Sequence, residues 1–162
     1  MRWRNMTDAD VAAVADIANI VHLDYPENPA VFAAAYRLYP AGCHVLAEDD
    51  GALAGYLISH PAILGLPPIL NIPMDALPKH PDCYYLHDLA LGAHTRGRGL
   101  AGAAVTIAVE EARAAGFDII ALIAVGDAHG FWERHGFKLY GDGLIDPAKG
   151  YGDEARAMIR AL

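Results

Sequence analysis

The run Tyr84-Tyr85-Leu86-His87-Asp88-Leu89-Ala90-Leu91 is followed, after a short gap, by Arg96-Gly97-Arg98-Gly99-Leu100-Ala101-Gly102 and an alanine-rich stretch. A strand, a basic glycine-rich turn and a helix in that order leave little choice of local fold. Gly97 and Gly99 lack Cβ atoms, so the backbone can pass through positive φ and approach another group closely. Ala101, Ala103, Ala104, Ala108, Ala112, Ala114 and Ala115 favour helix, and Gly116 suits the position just past its end. Thr106, Glu110 and Arg113 recur at helical spacing and mark a solvent face, whereas Leu100, Ala104 and Ile107 mark a buried one.

The first turn of a helix leaves backbone N–H groups unpaired, so this junction is a predicted anion site suited to a phosphorylated ligand. Arg96 and Arg98 add two permanent charges whose planar forks match phosphate. No Gly-Lys-Ser/Thr tail follows, which argues against a nucleoside-triphosphate loop. Gly97 to Gly102 also reads as G-x-G-x-x-G, with Asp127 as the matching ribose-binding acid. In a dinucleotide fold, however, the strand runs almost directly into the first glycine. Here Gly92 to Arg96 intervene, and too little chain follows for the remaining strand-helix-strand units.

Elsewhere, Trp3 to Met6 reads as a strand and Thr7 as the N-cap of a helix through Val21. Glu27-Asn28-Pro29 opens a second helix, stopped by Pro40. Cys43 to Glu48 and Ala52 to Ser59 form a hairpin about Asp49-Asp50-Gly51. The proline-rich connection from Pro61 to Asp82 has no periodicity, and loops of that length serve function, so it is expected to border an acceptor pocket. Asp118 to Val125, Phe137 to Tyr140 and Ala157 to Leu162 are the remaining predicted strands.

The 162 residues are expected to form one domain, 1–162, without internal repeats. Gly51 to Met74 lacks Asp, Glu, Lys and Arg, but its prolines and His60 make it a buried strand and apolar loop rather than a membrane span. A net charge of −8 lacks the basic footprint that nucleic acid or an anionic membrane requires. Cys43 and Cys83 form no disulfide framework and the N-terminus no signal peptide, so a cytoplasmic setting is the expectation. His80, Cys83 and His87 lack a fourth partner, so no metal is expected.

Arg96-Gly97-Arg98-Gly99-Leu100-Ala101 fills the pattern Gln/Arg-x-x-Gly-x-Gly/Ala position by position. Phe131-Trp132-Glu133-Arg134-His135-Gly136-Phe137 reads as a helix ending in an aromatic, polar residues and Gly-Phe. On these two motifs the chain resembles the GNAT superfamily of acetyl-CoA-dependent N-acetyltransferases, well from Tyr84 to Phe137 and elsewhere by element order. The resemblance implies an α/β fold with a central, twisted, mostly antiparallel sheet of about six or seven strands flanked by about four helices. It also implies acetyl-CoA as cosubstrate and an amine acceptor, either a small molecule or a peptide, and it leaves room for a homodimer. By the same resemblance Arg96 to Gly102 take the diphosphate, while Leu89, Ala90 and Leu91 offer backbone groups to the pantetheine and the thioester carbonyl. Asp127 or a backbone carbonyl stands in for an Asn that Gly126 replaces, and Trp132 takes the place of a tyrosine that often protonates the departing thiolate.

An amine must lose a proton before it attacks, so a titratable group has to face the thioester. His87 is the best base by its unperturbed pKa. Strand alternation puts Tyr85 and His87 on one face and Asp88 on the other. Leu86-His87-Asp88-Leu89-Ala90-Leu91 is similar to Leu-His-x-Leu-Ala-Val of arylalkylamine N-acetyltransferases, in which two strand histidines relay a proton. The position matching His87 is kept, and Tyr85 stands at the other. Tyr151, between Gly150 and Gly152, is the candidate acid, with Tyr140 second. Tyr25, His60 and Tyr85 are candidate acceptor contacts, with Asp24 and Glu27 near them in sequence. The competing expectation is a catalytically silent acyl-CoA sensor on the same scaffold.

Overall fold

The computed structural model describes residues 1–162. Its strands are β1 (Arg2–Asn5), β2 (Cys43–Ala47), β3 (Leu53–Ala62), β4 (Cys83–Leu91), β5 (Ile119–Ala124), β6 (Lys138–Leu139) and β7 (Arg156–Ala161). Its helices are α1 (Val11–Val21), α2 (Pro29–Leu38), α3 (Leu100–Ala114) and α4 (His129–Arg134). One seven-stranded sheet has the order β1-β2-β3-β4-β5-β7-β6, and every neighbouring pair is antiparallel except β4 with β5.

The sheet separates two apolar layers. Ala104, Val105, Ala108, Val109 and Ala112 of α3 pack on Leu57, Tyr84, Leu86, Ile120 and Leu122. Val14 and Ala18 of α1 and Phe32 of α2 pack on Tyr56, Ile58 and Ala90 from the opposite side. Helix α3 ends as its sequence predicts, with Gly116 at φ +83° and its N–H on the Arg113 carbonyl.

Two boundaries differ from expectation. The first helix starts late, because the Asp10 carboxylate is taken by Arg4, with two contacts of 2.8 Å, and by the Thr7 hydroxyl; this holds Asp8–Asp10 as a separate 3-10 turn. Strand β3 runs on through Pro61 to Ala62, since β2 pairs only as far as Ile58, and beyond it β3 is an edge where a missing N–H is tolerated.

Two distortions of β4 shape the site. Ile58 lies opposite Asp88 and Ser59 opposite Leu86, leaving His87 as the extra residue of a β-bulge. Tyr85 and His87 share a face, as alternation predicts. Asp88 joins that face instead of opposing it, and is hydrogen-bonded there by Tyr56 and His22. The second distortion is a splay: β4 and β5 pair only at Tyr84 with Ile120 and at Tyr85 with Ala121, then part.

Candidate active site

The glycine turn is built as its sequence requires. Thr95 Oγ1 donates to the Gly92 carbonyl at 2.8 Å, closing a 3-10 turn over Ala93–Thr95. The chain then passes through Gly97 (φ +73°) and Gly99 (φ +71°), with open space where their Cβ atoms would lie. A cavity of about 430 Å³ opens at the start of α3, between this turn and α4. Its lining includes Arg96, Gly97 and Gly99 to Gly102 on one side and Phe131, Arg134 and His135 on the other. Gly102 permits the close approach of α4, since a Cβ there would meet the His135 ring at 3.1 Å.

The expected pair of guanidiniums is differently composed. Arg98 turns its Nη1 to the Met1 sulfur at 3.1 Å and is not part of the cavity lining. Arg134 supplies the second cation instead. The sequence carried it inside the second motif, but nothing local showed that α4 faces the turn. Asp127 is exposed between β5 and α4, outside both this cavity and the next. Ala90 turns its methyl into the core beneath α1 and α2, so only its backbone can meet a ligand.

Where β4 and β5 part, a second cavity, of about 120 Å³, is lined by Leu86 to Leu89, Leu122, Ile123, Val125, Ala128 and Trp132. His22, Tyr25, Glu27, Leu70 and Tyr151 complete it. These five come from loops tied to one another. The Asn71 N–H donates to Glu27 Oε2 at 3.2 Å, the Asn28 N–H to Asn71 Oδ1 at 2.6 Å, and the Tyr151 hydroxyl to the Pro68 carbonyl at 2.9 Å. The long β3–β4 connection is therefore the clasp that brings the α1–α2 loop and Tyr151 to the sheet.

His60 does not line this cavity. It is buried within β3, behind His87, with its Nε2 3.1 Å from His87 Nδ1. The contact fixes both tautomers. His60 Nδ1 lies 2.9 Å from the Pro61 carbonyl, an acceptor only, so it carries the proton and its Nε2 accepts. His87 Nδ1 must then donate, which leaves its Nε2 lone pair free. Tyr85 packs beside both rings, at 5.6 Å and 5.8 Å between centroids, and lines a different cavity.

Burial, and then His60, push the His87 imidazole down to about 3, so it is neutral at physiological pH. Burial also opposes the Asp88 charge, but the hydrogen bonds from His22 and Tyr56 prevail and hold the carboxyl low. Burial disfavours charge on His22 as well, and Asp88 at 3.0 Å outweighs it and raises the imidazole, so the two form an ion pair. Glu27 is the perturbed acid that sequence reasoning placed only by proximity. Burial, reinforced by the Asp88 charge, lifts its carboxyl to about 7. His80, Cys83 and His87 do not assemble into a metal-binding group.

The profile of the acetyltransferase (GNAT) family matches residues 13–137. No curated protein matches the chain by sequence. Among solved structures, the GNAT-like decarboxylase GphF in complex with isobutyryl-CoA superposes with a TM-score of 0.81 at 17% identity, covering 99% of each chain. Naa20 of Chaetomium thermophilum with a bisubstrate analogue gives 0.73 at 16% identity, covering 100% of this chain and 87% of that one. An acetyltransferase from Brucella melitensis with acetyl-CoA gives 0.63 at 19%, covering 99% and 87%. At these identities the superpositions speak for the fold.

Proposed function

Because the chain belongs to the acetyltransferase (GNAT) family, we propose that it moves the acetyl group of acetyl-CoA to a primary amine by direct attack in a ternary complex. The observation that carries this reading is the run of β4 past two cavities, with Leu91 in the lining of the glycine-turn cavity and Leu89 and His87 in that of the splay. The free amides at the start of α3, with Arg96 and Arg134, hold the diphosphate. The thioester arm then follows the unpaired edge of β4 to the place where His87, Asp88 and Glu27 meet.

Attack forms an N–C bond at the thioester carbon, breaks the C–S bond and releases a proton from nitrogen. Backbone N–H groups of β4 beyond Tyr85, which β5 leaves unpaired, steady the oxyanion. His87 orients the amine by accepting an N–H at Nε2. Glu27 takes the proton: an acid lifted to about 7 holds it far better than an imidazole depressed to about 3. Tyr151 serves the departing sulfur as a hydrogen-bond donor by turning its single O–H away from the Pro68 carbonyl, and burial, which pushes its phenol upward, makes full proton transfer costly. Trp132 packs against Phe131 and Phe137, at 4.9 Å and 5.5 Å between rings, and walls the thioester side without acid chemistry. Cys43 and Cys83 have thiols pushed up to about 12 by burial and lie outside the reaction cavity, which supports transfer without an acetyl-enzyme.

GphF is a GNAT-like decarboxylase. A carboxylated acyl group here would sit beside Asp88 and Glu27, so the charge in this cavity favours an ammonium over a second anion. Thiol release from acetyl-CoA across a panel of amines tests the proposal. Amine-dependent release, lost in His87→Ala and Glu27→Gln, is the expected result. Binding of acetyl-CoA with no release on any amine overturns it in favour of a silent sensor.

A further inference from the structure

A third cavity, of about 440 Å³, lies on the same face of the sheet as α1 and α2, over the part that those helices leave uncovered. Its floor is Tyr85, Ala121, Ile123 and Ile159, and the stretches 63–67 and 140–146 roof it. Leu122 and Ile123 line both this cavity and the reaction cavity, so the two share a wall. The volume is that of a pocket for a whole small ligand, and its lining is chiefly apolar.

One polar atom in it is unaccounted for. Tyr85 is 4% exposed, and its hydroxyl has no hydrogen-bond partner. Buried hydroxyls are almost always bonded, so an orphan on a cavity wall calls for a partner from the ligand. Its nearest polar neighbour is the Tyr151 hydroxyl, which donates to the Pro68 carbonyl and stands outside hydrogen-bond geometry with Tyr85; Tyr151 lines the reaction cavity, which puts Tyr85 at the junction of the two spaces. Charges at the rim do not select an anion. Asp142 and Asp146 outnumber Lys149, and each is spent on a turn, at Leu144 N and Ala148 N. An acyl hydrocarbon chain would fill the apolar volume but leave Tyr85 unbonded.

We infer that the acceptor is a primary amine with a compact apolar body and a neutral oxygen beside its amine-bearing carbon. The body fills this third cavity and the oxygen bonds to Tyr85. The assignment rests on the transferase reading and narrows its substrate class.

Phenylalaninol, 2-phenylethylamine and ethylamine separate the two elements. With wild type, kcat/KM for thiol release falls in that order, by roughly tenfold between the aryl amines and ethylamine. Tyr85→Phe erases the several-fold advantage of phenylalaninol over 2-phenylethylamine. Ala121→Phe, which fills the floor, lowers both aryl amines while sparing ethylamine. Equal rates for all three amines in wild type overturn the inference, as does an Ala121→Phe protein that is folded by circular dichroism and slows all three alike. A preference for hexanoyl-CoA over acetyl-CoA that Ala121→Phe abolishes also overturns it, assigning the cavity to the acyl chain. Should no amine release CoA, the transferase reading fails by itself. Calorimetric binding of phenylalaninol to wild type, weakened in Tyr85→Phe and Ala121→Phe, then supports the cavity assignment, and no binding refutes it.

Discussion

The glycine-turn cavity and the reaction cavity are built by opposite means. The first is made mostly of backbone from one continuous stretch, Thr95 to Gly102, with α4 adding Arg134 from across the groove. The second is made of side chains from distant segments, as in the Tyr151 bond to Pro68 across 83 positions and the Asn71 bond to Glu27 across 44. A backbone site tolerates any side chain that leaves φ free. A side-chain site depends on each group and on what its neighbours do to its charge.

The sharpest break between the two is expected at Glu27. Glu27→Gln lowers kcat roughly a hundredfold, the scale of a lost general base, and leaves the KM for acetyl-CoA unchanged. In wild type the rate rises with pH through about 7, as this carboxyl ionises, and the variant loses that limb. A KM effect without a kcat effect would show that Glu27 belongs to binding alone.

Gly99→Val probes the other region. A β-branched residue at φ +71° strains the turn, raising the KM for acetyl-CoA roughly tenfold, with a smaller change in kcat. Within that region Arg134→Ala raises the same KM roughly threefold to fivefold, and Arg98→Ala leaves it alone. The reverse order would return the second cation to Arg98. Calorimetric titration with CoA reads both variants.

The smallest effect concerns stability. Glu27 has a folded-state pKa of about 7 against an ordinary 4.5, so its contribution is full below the ordinary value and is lost as pH rises through about 7. Glu27→Gln removes that loss. Its melting temperature at pH 8 is expected to exceed wild type by a few degrees, and the two converge near pH 5. Identical curves at both values would place Glu27 in water.

The same contrast explains what could be read from the chain. Gly97, Gly99 and the alanine run after them act within a few residues of themselves, so the turn, α3 and its end at Gly116 were legible. The β-bulge was not, because it depends on how Ser59 and Ile58 pair across the sheet, and with it went the face of Asp88. His60 looked like the end of a strand because proline follows it, whereas the short β2 leaves an edge that accepts Pro61. His22 carried no signal by itself. Its role appears only when the end of α1 meets Asp88.

A crystal structure with acetyl-CoA tests the central claim most directly. The diphosphate is expected on the amides of Gly99 to Gly102 between Arg96 and Arg134, with the thioester carbonyl beside the backbone of Leu89 and its carbon facing His87 and Glu27. A diphosphate bound elsewhere, or a thioester on the far side of β4 from His87, would contradict the account.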